Sequence, residues 1–200
     1  MIEIKGLIKK YKNNLILDIP YFKFKSGCSY MVIGSNGSGK STLIKCMLGI
    51  NKIDCGYIGI NTKNVGYVPE KYYFPDFCSV NKFLKCILEL YGLEINCLQI
   101  DHYCNIFNLD KYKSLNKLSK GMLQKTLIIQ SLIHISDLFF FDEPLNGLDT
   151  HSQLKFINII EELKSKGKTI IITTHYPEFY QNKYDYTVRL SNRNLKYESN

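Results

Sequence analysis

The stretch Gly34-Ser35-Asn36-Gly37-Ser38-Gly39-Lys40-Ser41-Thr42 decides the fold of this chain. It fits the pattern G-x-x-x-x-G-K-[ST], in which the glycines let successive backbone N–H groups point at an anion. The apolar run at 30–33 predicts a strand, and the residues at 42–48 favour a helix. Strand, glycine loop and helix in this order are typical of a phosphate-binding loop, because the helix N-terminus also attracts negative charge. We therefore expect Lys40 to reach the β- and γ-phosphates of a nucleotide and Ser41 to ligate Mg²⁺. The alternative is a glycine-rich turn with a solvated lysine.

Length and composition limit the classes of protein. Two hundred residues, of which 45% are hydrophobic and 22% are charged, fit one domain with a buried core. No apolar run approaches the roughly 18 residues of a membrane span. The N-terminus at 1–5 lacks the features of a signal peptide, so we expect a cytoplasmic protein. The formal net charge is +8, but lysines and acidic residues are interleaved. This favours a solvated exterior over a nucleic-acid surface, with weak attraction to an anionic membrane as the second interpretation.

The seven cysteines are an odd number without a C-x-x-C pair, which argues against a disulfide framework. His102 and Cys104 could suggest a metal site. Two ligands without a matching pair elsewhere argue against it.

The order of predicted elements favours an α/β fold. Residues 2–33 read as β structure, and two short strands with a tight link follow at 56–60 and 64–68. A helical block at 71–118 then interrupts the pattern. Helix, strand, helix and strand alternate after it, at 120–133, 138–141, 150–166 and 169–174. Alternation of this kind predicts a mainly parallel sheet with helices on both faces.

Candidate site residues follow the predicted strands directly. Ligands bind at the carboxyl ends of parallel strands, where the glycine loop, Asp142-Glu143 and His175 all lie. Asp142 suits holding Mg²⁺, Glu143 can orient or deprotonate the attacking water, and His175 can donate to the γ-phosphate. The alternative interpretation of Asp142-Glu143 is structural, with acidic residues capping the end of a strand ahead of a turn. Tyr11 could stack on a purine, although a surface or packing role is the default for one of fifteen tyrosines.

From Tyr11 to His175 the chain resembles the nucleotide-binding subunit of an ATP-binding cassette (ABC) transporter. The motifs that carry the resemblance occur in the order of that family. They are the aromatic Tyr11, Walker A at Gly34–Thr42, the loop Gly66–Glu70, the signature Leu118–Met122, Walker B at Leu138–Asp142 with Glu143, the D-loop Leu145–Asp149 and the switch His175.

The resemblance implies an ATPase that uses ATP and Mg²⁺, with a P-loop NTPase fold in one domain spanning 1–200. It implies a mainly parallel core sheet, an N-terminal antiparallel β subdomain and an inserted helical subdomain at about 71–118. The implied catalytic residues are Lys40, Glu70, Glu143 and His175, and the implied metal ligands are Ser41, Glu70 and Asp142.

The resemblance also implies partners. In a head-to-tail dimer, Ser119 and Gly121 would reach the γ-phosphate bound by the second ATPase subunit, identical or different. The dimer would drive a membrane permease and so lie at the inner face of the cell membrane. We expect Tyr72, Tyr73 and Phe74 to help form the docking groove. No nucleic-acid partner is expected.

Two motifs depart from the family pattern. The signature usually reads L-S-G-G-Q, whereas this chain has Lys120 and Met122, and Glu70 stands where the family typically has Gln. An ionised carboxylate accepts but cannot donate hydrogen bonds, and it adds negative charge beside the metal. Both variants resemble those of exporter-type and antibiotic- or peptide-resistance ATPases.

Two other functions remain open. One is a soluble ATPase of the family that acts on ribosomes or nucleic acid. Such relatives usually carry two cassettes or long coiled coils, and 200 residues hold neither. The other is a regulatory cassette that binds without hydrolysis, against which Lys40, Asp142, Glu143 and His175 argue. The short ending at 184–200 predicts no added regulatory domain.

Overall fold

A computed structural model describes residues 1–75, 77–180 and 183–198. Its strands and helices alternate one by one over residues 120–174, and elsewhere they mostly follow one another in groups of the same kind. In chain order they are β1 (Ile2–Tyr11), β2 (Asn14–Phe24), β3 (Ser29–Ile33), α1 (Lys40–Met47), β4 (Cys55–Ile60), β5 (Val65–Val68), α2 (Val80–Leu90), α3 (Cys97–Ile106), α4 (Lys120–Leu132), β6 (Leu138–Asp142), α5 (Thr150–Ser165), β7 (Thr169–Thr174), β8 (Tyr186–Ser191) and β9 (Asn194–Tyr197).

The strands form two sheets. A three-stranded antiparallel sheet has the order β2-β1-β4. A six-stranded sheet has the order β5-β6-β7-β3-β8-β9, and all its pairs are parallel except β8 with β9. This confirms the predicted α/β class, with a mainly parallel core sheet and an N-terminal antiparallel sheet.

The six-stranded sheet is covered on both faces because side chains alternate along its buried strands. In β3, Met31 and Ile33 pack into one apolar cluster with α2, α3, α4 and α5. Tyr30 and Val32 point to the opposite face, where α1 and the antiparallel sheet form a second cluster. All the residues of β3, β6 and β7 are buried, as expected for central parallel strands.

Of the five α-helices in the described residues, four begin at a side-chain cap that satisfies a free backbone N–H. Ser119 starts α4 by accepting from the N–H of Met122 at 3.3 Å, and Asp149 starts α5 by accepting from that of Ser152 at 2.9 Å. Ser79 and Asn96 do the same for α2 and α3. Among the residues described, no helix combines the length and the apolar character needed to cross a bilayer.

Two parts of the fold differ from the arrangement read along the sequence. The two short strands with a tight link belong to different sheets, because β4 pairs with β1 whereas β5 pairs with β6. The ending at 184–200 contributes β8 and β9 to the core sheet. Residues 199 and 200 of that segment, like 76 in the aromatic stretch at 72–77, lie outside the described residues.

Candidate functional site

The carboxyl ends of four neighbouring strands bring the candidate residues together. In the order β5-β6-β7-β3, β5 leads to Glu70, β6 ends at Asp142, β7 leads to His175 and β3 leads into the glycine loop. The register places Asp142 beside Thr173 and Ile33 beside Thr174. A single site at this edge of the sheet therefore follows from the strand order.

A cavity of about 390 Å³ opens at this edge. Several predicted residues line it, together with Ile16, which the sequence did not single out. They are Tyr11, Asn36, Gly37, Gly39, Lys40, Ser41, Thr42, Glu70, Glu143 and His175. Asp142 is fully buried behind this wall. Gly34, Ser35 and Ser38 line the neighbouring cavity of about 490 Å³ instead.

The N-terminus of α1 is arranged differently from those of the other helices. Gly39, with φ of 105°, is its N-cap and supplies no side-chain acceptor, so the first N–H groups of α1 are left for another partner. A left-handed φ at this turn favours glycine. Lys40 is buried, and its Nζ donates to the carbonyl oxygens of Gly34 at 2.8 Å and Ser35 at 3.3 Å. An uncapped helix start with a buried ammonium suits a phosphate group.

Oxygen atoms suited to a hard cation meet at one side of α1. The Ser41 hydroxyl donates to Oε2 of Glu70 at 3.1 Å. Thr173 donates to Oδ1 of Asp142 at 2.5 Å, whereas Oδ2 of Asp142 is buried without a hydrogen-bond partner among the described residues. Burial raises the pKa of Asp142, and the hydrogen bond from Thr173 opposes that rise. An unpaired carboxylate oxygen beside a hydroxyl and a second carboxylate fits Mg²⁺.

Glu143 and His175 form a second polar pair. His175 Nδ1 lies 2.8 Å from Oε2 of Glu143, and the His175 backbone N–H donates to the same oxygen at 3.3 Å. Oε1 of Glu143 is 3.7 Å from Lys40 Nζ. Burial raises the pKa of Glu143, while the hydrogen bond and the charge of His175 act in the opposite direction. Glu143 also has φ of 51°, a left-handed conformation that non-glycine residues rarely adopt and that is often found at functional sites.

Tyr11, the last residue of β1, lines the same cavity. Its ring is about half exposed, and its hydroxyl accepts a hydrogen bond from Asn51. A half-exposed aromatic ring in the wall of this cavity can stack on a base.

Ser119 and Gly121 do not line the cavity. Ser119 is exposed at the start of α4, and Gly121 packs against the D-loop. A Cβ atom added to Gly121 would lie 2.4 Å from the carbonyl oxygen of Gly147, so glycine is required for this close approach. Lys125 also pairs with Asp149 at 3.0 Å, and Gln124 donates to the carbonyl of Pro144 at 3.0 Å. The start of α4 is thus tied to the segment that follows Glu143.

Sequence reasoning missed Thr173 and Asn51. Thr173 fixes both acidic residues, because its hydroxyl donates to Asp142 and accepts from the Glu143 N–H at 3.2 Å. Its only signal was a pair of threonines ending an isoleucine-rich strand. Asn51 gave no signal in the sequence.

Comparison with known proteins agrees with this geometry. The model of the ABC transporter family matches residues 17–146, nearly two thirds of the chain. An uncharacterised ABC transporter ATP-binding protein of Methanocaldococcus jannaschii is 36% identical over 181 residues, which cover 88% of this chain and 69% of that protein. A zinc import ATP-binding protein of Rickettsia conorii is 33% identical over 179 residues, covering 88% of this chain and 76% of that protein.

A solved structure of the ATP-binding subunit of an ABC transporter has the same fold. It superposes with a TM-score of 0.88 at 26% identity and covers 98% of this chain and 88% of that one. The family match and the relatives lead to one conclusion. This chain belongs to the ABC transporter family and is an ATP-binding cassette ATPase.

Proposed function

We propose that this chain is the ATP-hydrolysing subunit of a transporter and powers a separately encoded membrane permease by closing and reopening as a dimer. The observation that carries the proposal is the 390 Å³ cavity, in which the glycine loop, Glu70, Glu143 and His175 converge. As part of the proposal, residues 1–200 form one ATPase domain in which 71–118 is a helical subdomain. The packing of α2 and α3 against α4 supports that division.

The phosphate end of ATP would be bound by the loop and by α1. The N–H groups at the start of α1 and the Lys40 ammonium would hold the β- and γ-phosphates, because the former have no side-chain cap and the latter is a buried positive charge in the cavity wall. Tyr11 would stack on the base. Asn36, Gly37 and Thr42 line the same cavity and would also contact the nucleotide.

Ser41, Glu70 and Asp142 would hold Mg²⁺. When bound, Mg²⁺ neutralises charge on the phosphate oxygens. Glu143 would orient the attacking water and accept its proton, and its raised pKa makes it a better base than an ordinary glutamate. His175 would donate to the γ-phosphate while the Glu143 carboxylate fixes its ring.

A second ATPase subunit, identical or different, would complete the site. Ser119 and Gly121 lie outside the cavity of their own subunit, at the exposed N-terminus of α4. A helix N-terminus attracts anions, so these residues would contact the γ-phosphate that the second subunit binds. Lys120 is exposed there as well and adds positive charge.

The permease would dock on the aromatic groove, a cavity of about 250 Å³ lined by Tyr72, Tyr73 and Phe74. Leu123 of α4 also lines it. Tyr73 is fully exposed, and Phe77 nearby is almost so. Docking there would place the chain in the cytoplasm, at the inner face of the membrane. The signature and Glu70 variants resemble those of exporter-type ATPases, whereas four relatives are named for zinc import, so the proposal includes no direction of transport.

Tyr73→Ala tests the docking surface. We expect the affinity for the permease to fall about 30-fold, because loss of one aromatic anchor typically costs ~2 kcal/mol, and the share of the chain that sediments with native membranes to fall with it. The ATPase rate of the purified chain should not change, since Tyr73 does not line the ATP cavity. Membrane fractionation by centrifugation and a phosphate-release assay measure the two quantities.

Tyr112→Ala is the matched control, because Tyr112 is a second exposed tyrosine, 73% accessible, that lies outside the groove. If Tyr73→Ala and Tyr112→Ala both sedimented like the unmodified chain, the aromatic groove would not be the docking surface.

A further inference from the structure

The side chain of Tyr11 is held by residues outside the cavity. Asn51 Nδ2 donates to the Tyr11 hydroxyl at 2.8 Å. Lys9 Nζ lies 4.9 Å from the centroid of the Tyr11 ring, within cation–π distance. The ring is therefore fixed at its hydroxyl edge by Asn51 and covered on one face by an ammonium group.

The loop at 51–54 is bound to the end of β1. The Asp54 N–H donates to the carbonyl of Ile8 at 2.9 Å, and the Lys10 N–H donates to Oδ2 of Asp54 at 2.6 Å. Lys9 Nζ also donates to the carbonyl of Lys52 at 2.8 Å. Because these bonds join adjacent residues of both segments, Asn51 and Tyr11 keep a fixed separation.

The same loop is bound to α1. The Asn51 N–H donates to the carbonyl of Lys45 in the last turn of that helix at 3.0 Å. Lys40 begins α1 and lines the cavity, as Tyr11 does. Asn51 therefore connects the helix that begins at the glycine loop with the aromatic ring in the same cavity wall.

We infer that Asn51 is a positioning residue for nucleotide binding. Its amide orients the Tyr11 ring through the hydroxyl, so that the face opposite Lys9 is presented to the base at a set distance from the phosphate loop. The inference rests on the proposed function, in which Tyr11 stacks on the base. Asn51 itself does not line the cavity and acts only through Tyr11.

The test compares ATPase kinetics of purified Asn51→Ala, Tyr11→Phe and the double variant of these two, with Tyr11→Ala, which removes the whole ring, as the reference for loss of base stacking. Loss of one neutral hydrogen bond should raise KM for ATP about three- to tenfold and leave kcat unchanged. Tyr11→Phe keeps the ring but removes the acceptor, so it should raise KM by the same factor. The double variant should match either single variant, because both changes remove the same bond.

Inorganic tripolyphosphate, used as a competitive inhibitor, distinguishes an effect on the position of the base from a weakening of the whole nucleotide site. It carries the phosphates without a base, so its inhibition constant should be the same in Asn51→Ala and in the unmodified chain. Lys52→Ala is the control, because the neighbouring Lys52 contributes only its backbone carbonyl and should leave KM unchanged.

Three results would overturn the inference. One is an unchanged KM in Asn51→Ala together with a raised KM in Tyr11→Ala. Tyr11 would then still stack on the base, but Asn51 would not orient it. Another is an equal rise of KM and of the tripolyphosphate inhibition constant. The third is an unchanged KM in Tyr11→Ala, which refutes base stacking itself and removes the ground for the inference.

Discussion

Glu143→Gln is expected to lower the steady-state ATPase rate at least about 100-fold, because a general base typically contributes 10²–10⁴-fold and an amide cannot accept the proton. The substitution keeps the size of the side chain and one of its two oxygens, which can face either His175 or Lys40. ATP should therefore still bind. Bound but uncleaved ATP should hold two subunits together, so the variant should form a dimer in Mg-ATP that the unmodified chain forms only transiently.

Phosphate release measures the rate, and sedimentation velocity with and without Mg-ATP measures the dimer. Glu89→Gln is the control, since Glu89 is exposed on α2 away from the cavity and should retain the normal rate. Normal turnover by Glu143→Gln would show that another group activates the water.

Lys40→Ala is expected to weaken Mg-ATP binding at least about 30-fold. The Lys40 ammonium is 7% exposed and is surrounded by the Gly34 and Ser35 carbonyls and the Glu143 carboxylate. Removing one partner of a buried charge pair usually costs ~2–5 kcal/mol, which is the origin of the factor. Isothermal titration calorimetry gives the dissociation constant directly.

Lys63→Ala removes the same charge from an exposed position and serves as the control. Circular dichroism must show that Lys40→Ala is folded, because the substitution also leaves Glu143 without its 3.7 Å cationic neighbour. A folded Lys40→Ala chain that binds Mg-ATP like the Lys63→Ala chain would contradict the assignment of the phosphate loop.

Most of the core could be predicted from local patterns. Apolar runs of four to six residues, each followed by Gly34, Asp142-Glu143 or His175, mark buried parallel strands whose carboxyl ends carry polar groups. Adjacency of β3, β7 and β6 then brings those groups to one place. Helix starts at Ser119 and Asp149 could also be predicted, because both are capping residues ahead of periodic segments.

Pairing between distant strands could not be predicted in this way. β4 and β5 have similar composition and only four residues between them, yet each pairs with a strand far away in sequence. The alternating apolar residues of β8 did not identify β3 as its neighbour, since parallel pairing leaves no local signal.

The geometry of the site could not be predicted from sequence patterns either. The left-handed backbone of Glu143 depends on the N–H bond to Thr173 across two strands. The orientation of Tyr11 depends on Asn51, forty residues away. Such contacts are set by tertiary packing, whereas motifs record only neighbours along the chain.

The most direct test is a structure of the Glu143→Gln chain with Mg-ATP at saturating concentration. Our interpretation predicts the triphosphate against the loop at 34–42 and the start of α1, the metal between Ser41 and Asp142, and the base on Tyr11. Nucleotide bound at another surface, or an empty loop in the presence of Mg-ATP, would contradict it.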